Sequence, residues 1–339
     1  MSQKQSLFNR DWHIVDKWKY FFIASGAIIL LGLILLFIPQ IGLNLGIDFE
    51  GGYSMEIKYG AALTKDNFNE KLAQIEQVVE NLKDSEGNSY NLKISRAQMQ
   101  GKDENASILI RFKAIGDEEY MEKVTADLKQ ALINALFDPE NPYSGSVADS
   151  STISQTVSAE LLFGALAAVY VGLLLMLVYI TIRFELKSGL AAVVALFHDV
   201  LVVLAFMTFT RIEVNSTFIA AIITLIGYCI NNTVVIFDRI RENAKNPLNA
   251  GLTSAELANK SIKESFWRTL NSSLTTLFTI TLLAIIGVPS IREFAFPIII
   301  GLISGLYSSL CLAPSVWTLL NKKPKNKKAQ VKEEAVKEA

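Results

Sequence analysis

Six apolar runs stand out along the chain, at 20–39, 159–182, 189–209, 215–237, 269–287 and 294–318. Each is near or above the ~18–20 residues an α-helix needs to cross a bilayer. A buried core helix is the alternative for any single run, but six of them leave too little polar surface for a soluble chain. The pattern predicts an α-helical membrane protein with six spans. Residues 1–19 form a short N-terminal segment, 238–268 a loop between the fourth and fifth spans, and 321–339 a basic, disordered tail.

Residues 40–158 alternate differently. Gly51-Gly52 marks a turn into an alternating strand ending near Tyr59. Phe68, Leu72, Ile75, Val79 and Leu82 recur at helical spacing behind Thr64, which predicts a helix over 64–82 with Thr64 as N-cap. Two strands, 91–99 and 107–115, flank a polar turn at 101–105. A second helix is predicted over 117–136, and a last strand over 151–158. The order βαββαβ is that of a ferredoxin-like α+β domain inserted between the first and second spans.

Charge then sets the topology. Nineteen Lys and Arg residues lie in the N-terminal segment, the 183–188 turn, the loop after the fourth span and the tail, against Arg211 and Arg292 in the opposite short loops. Cytoplasmic loops retain such residues, so both termini are expected inside and the insert outside. The first run is too long for a signal-peptide core and is expected to stay as an anchor in a multi-pass cytoplasmic membrane protein. The insert carries 11 basic and 19 acidic residues, which argues against a nucleic-acid partner. Cys229 and Cys311 both fall in spans, so no disulfide framework or metal spacing is present, and no cofactor or enzymatic motif is expected. The tail's basic first half suits anionic lipid or ribosomal RNA, but a plain topology anchor is the preferred reading. Residues 244–266 read as a short helix on the membrane surface, using Leu252, Leu257, Ile262 and Phe266.

Polar groups inside spans are costly and mark candidate sites. Thr224, Tyr228, Asn231, Asn232 and Asp238 recur at three to four residues in the fourth span, predicting one polar face. Arg268, Ser272, Thr275, Thr276 and Thr279 do so in the fifth. The third span holds His198-Asp199, ~15 Å in from Gly189 at the helical rise. A carboxylic acid there costs ~2.5–3.5 kcal/mol on insertion scales. Gly301, Gly305 and Ser309 form a small-residue packing face in the sixth span. Bland readings stand beside these. Span Ser and Thr usually bond their own i−4 carbonyl, Arg268 can snorkel to the interface, and the amides can be interhelical glue.

Several separated motifs then agree. "LNLGIDFEGGYSMEI", with Asp48, Phe49, Gly51 and Gly52, resembles the Gly-Gly turn after the first span in the SecD/SecF family of protein-export accessory subunits. "YITIRFELKSGLAAVVALFHDV", "IGYCINNTVVIFDRIREN" and "RTLNSSLTTL" resemble the family's SecF branch over residues 12–320. The resemblance implies pairing with SecD and association with the SecYEG channel, in the pathway driven by SecA. It also implies an assembly similar to resistance-nodulation-division transporters, acting on unfolded polypeptide and using the ion gradient.

One departure is informative. Where the family pattern has an aspartate, assigned with the arginine matching Arg268 to proton movement, this chain has Asn232. A carboxylic acid can take up a proton on burial and an amide cannot. Either coupling persists through Asp199 and an acid of SecD, or this subunit serves as a scaffold. Amide oxygens holding Na⁺ are a third possibility. A half-unit of a small-molecule or lipid exporter of the related superfamily is the rival from another class.

Overall fold

The computed structural model describes residues 12–38, 42–84, 87–100, 106–113, 118–136, 146–153, 155–287 and 289–321. The N-terminal residues 1–11, the turn at 101–105 and the tail from 322 lie outside the described residues.

Among the described residues, six helices are long and apolar enough to cross a membrane. The first, α1 (Trp18–Leu36), turns most of its surface outward: Ile23, Leu30 and Leu31 are exposed, while Ser25 and Gly32 are its buried residues. Such an apolar outer face suits lipid, because the helix satisfies its backbone internally. Beyond α1 the chain forms β1 (Asn44–Leu45), a single-turn helix α2 (Ile47–Glu50) and the strand β2 (Gly52–Lys58). Gly51 and Gly52 link α2 to β2 with φ of 71° and 126°, a region glycine enters without a Cβ penalty.

The soluble unit continues with α3 (Phe68–Glu80), β3 (Ile94–Gln100), β4 (Ser107–Phe112), α4 (Glu118–Leu136) and β5 (Ser146–Ile153). The strands form one sheet in the order β3-β4-β2-β5, with every neighbouring pair antiparallel. Tyr53, Met55, Ile57, Ile108, Ile110 and Phe112 project from the two central strands into a core closed by α3 and α4. Two sequence boundaries shift. The first helix starts at Phe68 instead of Thr64, because Thr64 and Asn67 exchange bonds one turn earlier: Thr64 N donates to Asn67 Oδ1 (2.8 Å) and Asn67 N to Thr64 Oγ1 (3.4 Å). The last strand lies at 146–153, not 151–158, and residues from Gln155 onward already belong to a helix.

That helix, α5 (Gln155–Arg183), leads into α6 (Leu186–Thr210), the short strand β6 (Glu213–Val214) and α7 (Ser216–Lys245). Then come α8 (Ser254–Ile286), α9 (Pro289–Tyr307), a π-helical turn over Ser308–Leu312 and α10 (Ala313–Leu320). The predicted loop 238–268 is a helical hairpin, with α7 running on to Lys245 and α8 beginning at Ser254. A capping box fixes the start of α8: Thr253 Oγ1 accepts from Glu256 N, and Glu256 Oε2 accepts from Thr253 N. The surface-helix expectation for 244–266 is therefore corrected. Leu257 and Ile262 are buried, Asn259 Oδ1 accepts from Val15 N (3.0 Å), and Phe266 packs edge-on against Trp12 at 4.9 Å. An apolar face already occupied by the N-terminal segment is not free to lie on lipid.

The bundle centre is built by α6, α7 and α9. Gly301, Gly305 and Ser309 meet Leu225, Cys229 and Thr233, so two rows spaced by four interdigitate. A methyl added at Gly301 would run into the Leu225 side chain, and one at Gly305 into Cys229 Sγ. Gly301→Val is expected to cost about 1–3 kcal/mol by overpacking. The melting midpoint of the detergent-solubilised protein checks this, and an unchanged midpoint would mean the helices are not held at this separation.

Candidate intramembrane acid site and domain junction

Asp199 lies midway along α6 and is 1% exposed. A carboxyl group there needs donors, and the end of α9 with the π-helical turn after it supplies them. Ser304 and Ser308, one turn apart, place both hydroxyls on one helix face. Ser304 Oγ donates to Asp199 Oδ1 (2.6 Å), and Ser308 Oγ to Asp199 Oδ2 (2.7 Å). Gly305 lies between them, and the Cβ it lacks would meet Cys229 Sγ, so its bareness lets α9 pack closely on α7 beside Asp199. Ser308 opens the π-helical turn, a deviation that often marks functional positions.

His198 completes the cluster. Its Nδ1 lies 3.1 Å from Asp199 Oδ1, whereas its buried Nε2 has no hydrogen-bond partner among the described residues. The ring borders a cavity of about 630 Å³ between α1, α6 and α9, whose polar edge is Ser25, Ser304 and Tyr307. Tyr307 Oη donates to Phe21 O (2.9 Å). Chemically the cluster is one carboxyl group with two hydroxyl donors and an imidazole.

The expected polar face of α7 divides. Asn232 is buried and its Nδ2 donates to Ser273 Oγ on α8 (2.9 Å). Tyr228, Asn231 and Asp238 are exposed on another side, with Thr224 half-buried beside them. Successive helical residues point ~100° apart, so Asn231 and Asn232 cannot share one direction. Asn232 instead shares its face with Leu225, Cys229 and Ile236. Arg268, Ser272 and Thr275 are exposed and Thr276 is half-buried, so Arg268 does not face Asp199 within this chain. Thr275 and Thr276 both donate to Ser272 O, the local bonding that makes such stripes weak signals.

The charged residues after Asp238 have a structural task. Arg239 pairs with Glu242 (2.6 Å) and Glu264 (2.7 Å), and Asn243 Nδ2 donates to Glu264 (2.7 Å) and to Ser261 Oγ (3.0 Å). Arg183 stands 3.8 Å from Asp238. These bonds hold the α7–α8 hairpin.

At the opposite end the glycine-turn segment bolts the sheet domain to the bundle. Phe49 is buried in the helical core. Asp48 Oδ2 accepts from Ser216 N (2.8 Å), and Asn215 Oδ1 accepts from Phe218 N (3.1 Å), so both side chains cap the first turn of α7. β1 pairs with β6 in parallel. Glu213 of β6, 6% exposed, forms an ion pair with Arg111 of β4. Burial pushes its carboxyl above the usual range, and the nearby Arg111 pulls it partly back. Sequence reading missed Ser304, Ser308, Ser273 and the Arg111–Glu213 pair.

Comparison with known proteins supplies the family. The model described as protein export membrane protein SecD/SecF, C-terminal, matches residues 134–323, and the SecD/SecF GG motif matches residues 36–62. The chain is 36% identical over 325 residues to protein translocase subunit SecF of Calditerrivibrio nitroreducens, covering 94% of this chain and 98% of that protein. It is 35% identical over 311 residues to protein translocase subunit SecDF of Bacillus subtilis, spanning 91% of this chain and 38% of that longer one. The solved structure of SecDF from Thermus thermophilus, a translocon-associated membrane protein, is similar with a TM-score of 0.72 at 28% identity, over 91% of this chain and 38% of its own. With one family model over more than half its length and a relative matched nearly end to end, the chain belongs to the SecD/SecF family of protein export membrane proteins.

Proposed function

We propose that this chain is a SecF-type accessory subunit of Sec protein translocation, working with SecD. Its near-complete match to a SecF subunit carries this reading, and the fused SecDF relatives support the partnership. The exposed face of Tyr228, Asn231, Arg268 and Ser272 suits contact with a second six-span unit, since lone polar groups in lipid are costly. We read the sheet domain as ferredoxin-like from its strand order, and as external from the Lys and Arg placement, with both termini cytoplasmic. SecYEG, SecA and the emerging polypeptide are the further partners in this reading.

Ion coupling within the chain is assigned to Asp199 with His198, because a buried carboxyl held by two serines can gain and lose a proton in place. Asn232, bonded to Ser273, serves as helix-to-helix glue. The short chain of contacts from Asp199 through Gly305 and Cys229 to α7, and from the start of α7 to Asp48, offers a mechanical route to the sheet domain. Affinity purification of the tagged chain from its native membrane tests the function. SecD, with SecYEG subunits, is expected among the co-purified proteins. Their absence, with an outer-membrane or lipid-handling partner in their place, would favour the exporter reading.

A further inference from the structure

A second polar cavity, of about 410 Å³, lies between the sheet domain and the adjacent ends of the helices. Arg96 of β3, Arg111 of β4, Lys113 and Arg211 line it, together with Glu50 and Gly51 of the glycine turn. Four cations thus share a cavity with Glu50, while Glu213, already paired with Arg111, and Glu293 stand close enough to attract Arg96. The hydrogen bonds of Arg96 and Arg211 do not neutralise charge. Arg96 Nη2 donates to Arg211 O (3.2 Å) and Arg211 Nη1 to Gly42 O (2.5 Å), both backbone carbonyls. Arg111 Nε is buried and meets no acceptor, and Lys113 enters no ion pair among the described residues. Burial lowers the Arg96 guanidinium below its usual range, and repulsion from Arg111 adds to it.

The planar forks of guanidinium groups converging on one space favour a multidentate oxyanion such as phosphate, and low-dielectric walls focus their field into the cavity. The level of the site selects the source. α1 ends at Leu36 and α6 at Thr210, with Phe37 and Phe209 exposed on their outer sides and Arg211 immediately beyond. That is where hydrocarbon gives way to headgroups. We infer that this cavity binds a phosphate group, supplied by the headgroup of an anionic lipid, and so ties the glycine turn and the base of the sheet to the membrane surface. The inference is independent of the role given to Asp199.

Native mass spectrometry of the detergent-solubilised full chain tests it, using dioleoylphosphatidylglycerol, dioleoylglycerol and inorganic phosphate. Wild type is expected to retain the phosphatidylglycerol adduct and not the phosphate-free lipid, and added inorganic phosphate should compete. R96Q/K113Q is expected to weaken the adduct by roughly tenfold or more through loss of charge-assisted bonds. Should that variant fail to fold, Lys113→Gln alone, at an exposed position, is expected to weaken it in the same direction. Equal occupancy in wild type and both variants, or dioleoylglycerol bound as well as phosphatidylglycerol, would overturn the site. Inorganic phosphate bound without the lipid would overturn the lipid source.

Discussion

Asp199→Asn is expected to remove the gradient-dependent part of protein export while leaving the complex with SecD assembled. The substitution keeps the size and planarity of the side chain. Its amide oxygen still accepts from one serine, and its NH₂ group can donate to the other, since a hydroxyl also accepts. The cost to stability is accordingly small, about 0.5–1.5 kcal/mol. The amide cannot take up a proton, so the proton-carrying role proposed for Asp199 is lost altogether. Translocation into inverted membrane vesicles, driven by SecA and compared with and without an ionophore, reads the effect. Wild type is expected to lose stimulation when the gradient collapses, and Asp199→Asn to start at that collapsed level. Asn232→Ala is the contrast: it removes the bond to Ser273 and should retain the ionophore response. A full response in Asp199→Asn would take Asp199 out of the coupling.

Arg111→Ala is expected to loosen the sheet domain from the helical bundle. Glu213 is buried and Arg111 is its counter-ion across that junction. Removing one partner of a buried pair strands the other, at a cost of about 3–5 kcal/mol. The pH dependence has a definite sign. The Glu213 carboxyl is raised in the docked state, because burial outweighs the pull of Arg111. A carboxyl raised in this way contributes stability that is present below its free-chain pKa, about 4.3, and is lost as pH rises through the docked value. Without Arg111 the docked value climbs further, so the loss in the variant grows as pH rises from the free-chain value through the docked one. Hydrogen exchange in β1 and β6, where Gly46 N donates to Val214 O at 2.9 Å, measures the opening. Arg111→Ala combined with Glu213→Gln should recover part of the protection, because no charge remains stranded. Wild-type protection in the single variant at both ends of that pH range would mean that the pair does not hold the junction.

How far the sequence could be read follows from what each signal depends on. The six apolar runs reappear as six long helices because length and hydropathy are local properties. Asp199 was visible for the same reason: a carboxyl group in the middle of an apolar run is anomalous wherever its neighbours lie. Its serine partners were not visible. Ser304 and Ser308 look like any span serines that could bond their own carbonyls, and only the packing of α9 on α6 aims them at Asp199. The adjacent amides show the same limit. Spacing alone allowed Asn231 and Asn232 to be placed on one stripe, but the helix rotates them apart, and only tertiary contacts decide which points inward. The glycine row of the last span was legible as a packing face because small residues at intervals of four have few other uses in a membrane. The Arg111–Glu213 pair joins residues about a hundred positions apart, so no local pattern announces it.

The central claim is that Asp199 holds a proton inside the membrane, and infrared difference spectroscopy of the reconstituted complex with SecD tests it most directly. Acidifying one side should produce a protonated-carboxyl band in wild type that is missing from Asp199→Asn and retained in Asn232→Ala. A band of equal size in Asp199→Asn, or none in wild type, would contradict the account.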